Sequence, residues 1–121
     1  MRTNEIPEHV RVLLSDGAER SESWIALQLL GIVPPEVAAA HWRSARYRRR
    51  GDPPPLQTQV EQGMRWMIAS ALRTLAGRNI VAQVRGETGP AHRRAGRGMR
   101  VWRVIDAETL EWAKRLKEVS P

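Results

Sequence analysis

The chain has 121 residues, the size of one domain, and a chain of that length buries roughly two-thirds of its unfolded surface in a single core. It contains no cysteine, which excludes disulfides, thiolate nucleophiles, Cys-ligated zinc and iron–sulfur clusters. Twenty Lys and Arg stand against 13 Asp and Glu, a net charge of +7, and no apolar stretch is long enough to span a bilayer. Residues 1–14 lack a basic segment followed by an apolar one, so no secretory signal is read and a cytoplasmic, nucleoid-associated protein is expected.

Ile6, Val10, Leu13 and Leu14 fall at i, i+4, i+7 and i+8. With Pro7 in the first turn and Gly17 beyond, that spacing predicts a helix over about 6–16. Ser21 is the expected N-cap of a short helix over about 22–30, which carries Trp24, Ile25, Leu29 and Leu30. Pro34, Pro35 and Glu36 open an Ala- and Arg-rich helix over about 35–49. On it Val37, Ala38, His41, Trp42 and Ala45 are expected to face inward. Arg43, Arg46 and Arg50, at i, i+3 and i+7, share one outward face.

Pro53, Pro54 and Pro55 cannot continue a helix, so 51–56 reads as a linker. A longer helix is expected over 57–77, with Val60, Met64, Met67, Ile68, Ala71, Leu72 and Leu75 as its apolar stripe. Gln59, Gln62, Arg65, Trp66, Ala69 and Arg73 fall largely opposite, and Gly77 and Asn79 supply stop chemistry. Ile80–Arg85 and Arg100–Ile105 are rich in β-branched residues and read as two strands of a hairpin over 80–105. Between them lies a glycine-rich loop carrying Arg93, Arg94 and Arg97. Asp106 then caps a last helix within 106–119, with Leu110, Ala113 and Leu116 on one stripe. The expected fold is one domain over 1–121, mainly α with a small β-hairpin: about five helices and two strands. Trp24, Trp42 and Trp102 are assigned to its core, Trp66 to a place beneath the Arg-rich helix, and Met64 and Met67 to gaps in the packing.

The charge is unevenly distributed. Residues 1–40 hold three bases and six acids, residues 41–103 fourteen Arg and three acids, and residues 104–121 three bases and four acids. A block of net +11 between mildly acidic ends is the pattern of a polyanion-binding surface. His9, His41 and His92 are scattered, with no metal-ligand spacing. The sequence holds no Gly-x-Ser-x-Gly, no P-loop, no dinucleotide fingerprint and no convincing carboxylate pair. Binding rather than catalysis is expected, with no cofactor and no metal.

The run Ala71-Leu72-Arg73-Thr74-Leu75-Ala76-Gly77-Arg78-Asn79-Ile80-Val81 resembles the winged helix-turn-helix superfamily of DNA-binding domains. There an Ala-Leu-x-x-Leu run closes the recognition helix and leads through a short turn into the first wing strand. Arg100-Val101-Trp102-Arg103-Val104 resembles the returning strand, and the similarity spans most of residues 6–105. The chain departs from the pattern twice. An Arg-rich helix and the proline linker replace the usual short turn before the recognition helix, and the loop at 86–99 is longer than a minimal wing.

The resemblance implies sequence-specific double-stranded DNA binding by a small transcriptional regulator or mobile-element factor. Helix 57–77 would enter the major groove with Gln59, Gln62, Arg65 and Arg73, since Gln pairs bidentately with adenine and Arg with guanine. Arg93, Arg94, Arg97 and Arg100 of the wing would meet flanking phosphate or the minor groove, and Arg43, Arg46 and Arg50 would grip phosphate. Two alternatives stand beside this reading: binding of RNA duplexes, and a protein-interaction module that does not bind nucleic acid. The last helix, with Trp112 beside Leu110, Ala113 and Leu116, either closes the core over the first helix or forms a homodimer seam.

Overall fold

The structure, a computed structural model, describes residues 5–44, 53–85 and 100–119 of the chain, with no side-chain description at 113 and 116–119. Five helices and three short strands follow one another among these residues: α1 (Ile6–Leu13), β1 (Arg20–Ser21), α2 (Glu22–Leu29), α3 (Pro35–Ser44), α4 (Leu56–Gly77), β2 (Val81–Arg85), β3 (Val101–Val104) and α5 (Ala107–Val119). The fold is mainly helical, as expected, but its sheet is larger than the two-stranded hairpin that was expected. β1 pairs antiparallel with β3, through Arg20 opposite Trp102 and Ser21 opposite Val101, so the strand order is β1-β3-β2. Two residues show no period-2 alternation, and their pairing partner lies eighty residues downstream, so nothing local marks them as a strand.

Local chemistry sets most of the boundaries. The Trp24 backbone N–H donates to the Ser21 hydroxyl at 3.1 Å, the expected N-cap of α2. Asp106 caps α5, accepting from the Thr109 N–H at 3.1 Å and from the Thr109 hydroxyl at 2.7 Å. At the end of α4, Asn79 adopts a left-handed φ of 59° and the Ile80 N–H donates to the Leu75 carbonyl at 2.9 Å, closing the last turn. Gly77, expected to share that role, remains helical. Gly17 has φ 80° and ends the turn after α1, where Leu110 of α5 packs against it.

α4 is the spine. Met64, Met67, Ile68, Ala71, Leu72 and Leu75 are all buried, in the stripe the sequence predicts, while Val60 is half-buried. They meet Ile6, Val10 and Leu14 of the first helix and its exit, Ile25 and Leu29 of α2, and Trp102 and Val104 of the sheet. Trp42 and Trp102 are buried; Trp24 is half-buried beneath the Arg20 guanidinium, which stacks on its ring at 4.3 Å. Trp66 is also half-buried.

A second face of α4 is covered by α3, and here the backbones touch. A Cβ on Gly63 would lie 1.9 Å from the Ala38 carbonyl oxygen, so glycine is what permits the crossing. Ala38 and Ala39 are fully buried at this contact. α5 is fastened to α1 by a polar cluster: Arg11 Nε donates to the Thr109 hydroxyl at 2.7 Å, Arg11 Nη2 to Asp106 at 3.2 Å, and its guanidinium stacks on Trp112 at 4.2 Å. No helix among the described residues is long and apolar enough to cross a membrane.

Candidate nucleic-acid interface

With one side of α4 in the core and another under α3, one strip remains open. Gln62, Arg65, Ala69 and Arg73 recur at i, i+3, i+7 and i+11, so they share a face. Gln62, Arg65 and Arg73 are exposed on it, with the small Ala69 half-buried between them. From Gln62 to Arg73 the strip runs about 16 Å at the helical rise of 1.5 Å per residue. Gln62 is oriented from behind: the Trp42 indole Nε1–H donates to its side-chain oxygen at 2.7 Å, leaving the amide NH2 without a partner among the described residues.

Gln59 does not belong to this strip. It is 8% exposed, its amide donates to the Pro54 carbonyl at 2.9 Å, and its oxygen accepts from Arg43 Nη1 at 3.3 Å. It splints the proline linker to the first turn of α4. The expectation of an outward base contact at Gln59 is corrected for a physical reason. The apolar stripe shows which face meets the core, but not that α3 buries a second face. Arg43 is exposed at the end of α3, and this same bond ties it to α4.

Arg100 is half-buried, and its Nε is buried without a hydrogen-bond partner. Its carbonyl accepts from the Glu22 N–H at 3.0 Å. Beside it Glu22, 7% exposed, accepts from the Trp102 indole at 2.9 Å and locks the sheet onto α2. Arg46, Arg50, Arg93, Arg94 and Arg97 lie outside the described residues. The points from which their segments leave are described. Residues 45–52 follow Ser44, next to Arg43 and its bond to the first turn of α4. Residues 86–99 run from Arg85 to Arg100, at the sheet end paired with Ser21 and adjoining Glu22. Glu22 in turn shares a groove with Met64 and Arg65. Both Arg-rich segments therefore depart beside the N-terminal half of α4.

Ion pairs are denser outside the basic block than inside it. Outside it Arg11, Arg20 and Lys114 contact carboxylates, and Arg115 does not among the described residues. Inside it Arg85 pairs with Glu19 at 2.8 Å, whereas Arg43, Arg65, Arg73, Arg78 and Arg103 form no ion pair among the described residues. The α4 N-terminus, at Pro55, has no side-chain cap hydrogen bond and no acidic residue in its first turn, which leaves the positive end of the helix dipole without a negative side chain among the described residues there.

On the far side of α4 a hollow of about 370 Å³ has a mixed lining, polar from His41, Ser70, Thr74 and Arg78 and apolar from Ile6, Pro7, Met67 and Ala71. Burial pushes the His41 pKa below its ordinary value, which favours the neutral ring. No group of three or more His, Asp or Glu among the described residues is placed to hold a metal ion. Compared with known proteins, the chain matches no family model, no curated protein and no solved structure.

Proposed function

We propose that the protein binds double-stranded DNA through the exposed strip of α4, as a small transcriptional regulator or mobile-element DNA-binding factor of winged-helix type. The observation that carries this reading is the strip itself. It presents one amide and two guanidiniums that have no carboxylate partner among the described residues of one copy, along about 16 Å of a helix, and B-DNA's major groove admits such a helix. The order of elements supports the same reading. α1, β1 and α2 lead, through the inserted α3, to a long helix that runs into an antiparallel hairpin whose returning strand also pairs with β1. In the proposed complex Gln62, Arg65 and Arg73 meet base edges and adjacent phosphates, and the arginines of the two flanking segments neutralise the backbone.

The test is anisotropy of a labelled random-sequence DNA duplex, with the wild-type protein against Arg65→Ala/Arg73→Ala. Both residues are exposed, so circular dichroism of the variant should match the wild type. Loss of two guanidinium contacts at roughly 1–3 kcal/mol each weakens binding by at least about tenfold. Equal affinity of the two proteins overturns the assignment of the strip. Equal competition by a matched RNA duplex overturns major-groove entry, because the A-form major groove is too deep and narrow for side chains to read.

A further inference from the structure

We infer that the protein is a homodimer whose seam is the groove between α2 and α4, each copy filling the other's groove about a two-fold axis. α2 carries apolar side chains on both sides. Ile25 and Leu29 are fully buried in the core, while Leu27 is 66% exposed, Leu30 52% and Ile32, just beyond the helix, 40%. Leu27 and Leu30, three residues apart on one side of the helix, form a patch rather than scattered surface positions. The patch borders a hollow of about 290 Å³ whose apolar lining includes Ala26, Met64 and Ile68. A projecting pair of leucines beside a recess is self-complementary in shape, which is what an isologous contact requires.

Charge points to the same occupant. Glu61 and Arg65 stand four residues apart on the α4 wall of this groove, and neither forms an ion pair among the described residues. One carboxylate and one guanidinium on the same rim are what a two-fold operation exchanges, so that Glu61 of each copy faces Arg65 of the other. An unrelated apolar segment would offer neither charge a partner across the contact. Arg65 carries five N–H donors, so a pairing with Glu61 of the second copy leaves donors for the α4 strip alongside.

The described side chains of α5 offer no comparable seam. Its exposed residues Glu108, Glu111, Lys114 and Arg115 are charged, and Trp112 is half-buried against Arg11.

Sedimentation velocity of the full chain without nucleic acid, across the micromolar range, tests this independently of DNA binding. The expected species has twice the 13.7 kDa chain mass. Leu27→Asp, at an exposed position that leaves the monomer fold intact by circular dichroism, raises the dissociation constant by about tenfold or more. Glu61→Arg and Arg65→Glu each weaken the dimer by setting like charges opposite one another, and the double swap Glu61→Arg/Arg65→Glu restores it. A monomer at every concentration overturns the inference. So does a dimer indifferent to Leu27→Asp, or a double swap no tighter than the single variants.

Discussion

Gly63→Ala probes the crossing of α3 and α4 with a single methyl group. In the native backbone the added carbon would lie 1.9 Å from the Ala38 carbonyl oxygen and 2.8 Å from its carbon, against an ordinary contact of 3.4 Å or more. Relief requires the helices to part by about 1.5 Å at that point. The obstruction is backbone, so no rotamer change relieves it. Overpacking of this kind costs roughly 1–3 kcal/mol, and a carbonyl group facing the methyl places Gly63 at the upper end. Alanine returns up to about 1 kcal/mol of helix propensity, leaving a net loss of about 2 kcal/mol. For a chain of this size that lowers Tm by roughly 6–12 °C. Gly77→Ala is the control: nothing lies within 4 Å of its Cβ position, so propensity alone acts and the variant is as stable as wild type or slightly more so. Thermal unfolding by far-ultraviolet circular dichroism measures both. If Gly63→Ala is stabilised like Gly77→Ala, α3 does not lie against α4, and the reason given for the buried state of Gln59 fails with it.

Three further outcomes are expected. Gln59→Ala removes the splint to Pro54 and Arg43 and lowers stability by about 1–2 kcal/mol in urea unfolding, while duplex affinity at a fixed salt concentration is unchanged; weaker duplex binding by the folded variant would return Gln59 to the nucleic-acid contacts. Trp102→Phe deletes the indole donor to the buried Glu22 carboxylate and costs roughly 1–3 kcal/mol; wild-type stability in urea would show that this bond does not hold the sheet to α2. The Asp106 carboxyl is held below the usual carboxylate range, first by the Thr109 hydroxyl and further by Thr109 N–H and Arg11. A carboxyl whose pKa is lower folded than unfolded stabilises the fold above the unfolded pKa of about 4, and that contribution is lost as pH falls through the folded value. Urea midpoints measured from neutral to acid pH should show this loss in the wild type and a shallower fall in Asp106→Asn; identical profiles would remove Asp106 from the cluster that fastens α5.

Several parts of this fold are written locally and could be read without coordinates. Ser21 and Asp106 cap the helices that follow them because their side chains reach backbone donors three residues on. The α4 stripe from Met64 to Leu75 repeats on one helical face over its whole length. What the sequence withholds is contact between distant elements. Gln59 has the same polar character as Gln62, and only the approach of α3 makes one a buried splint and the other an exposed amide. Gly63 looks like a weak point in a helix until Ala38 is seen against it. β1 depends on a partner strand far along the chain. The outward apolar residues Leu27 and, just past the helix, Leu30 sit among core residues at an eight-residue helix too short for its faces to be separated by pattern alone.

The most direct measurement for the nucleic-acid interface is the affinity for a short DNA duplex as a function of salt. Neutralisation of roughly 4–8 phosphates by the basic block gives a slope of log K against log salt of about −4 to −7, made shallower by removal of Arg65 and Arg73. An affinity that does not change with salt, or no binding at low ionic strength, contradicts the proposal that this exposed cationic strip is a DNA-binding surface.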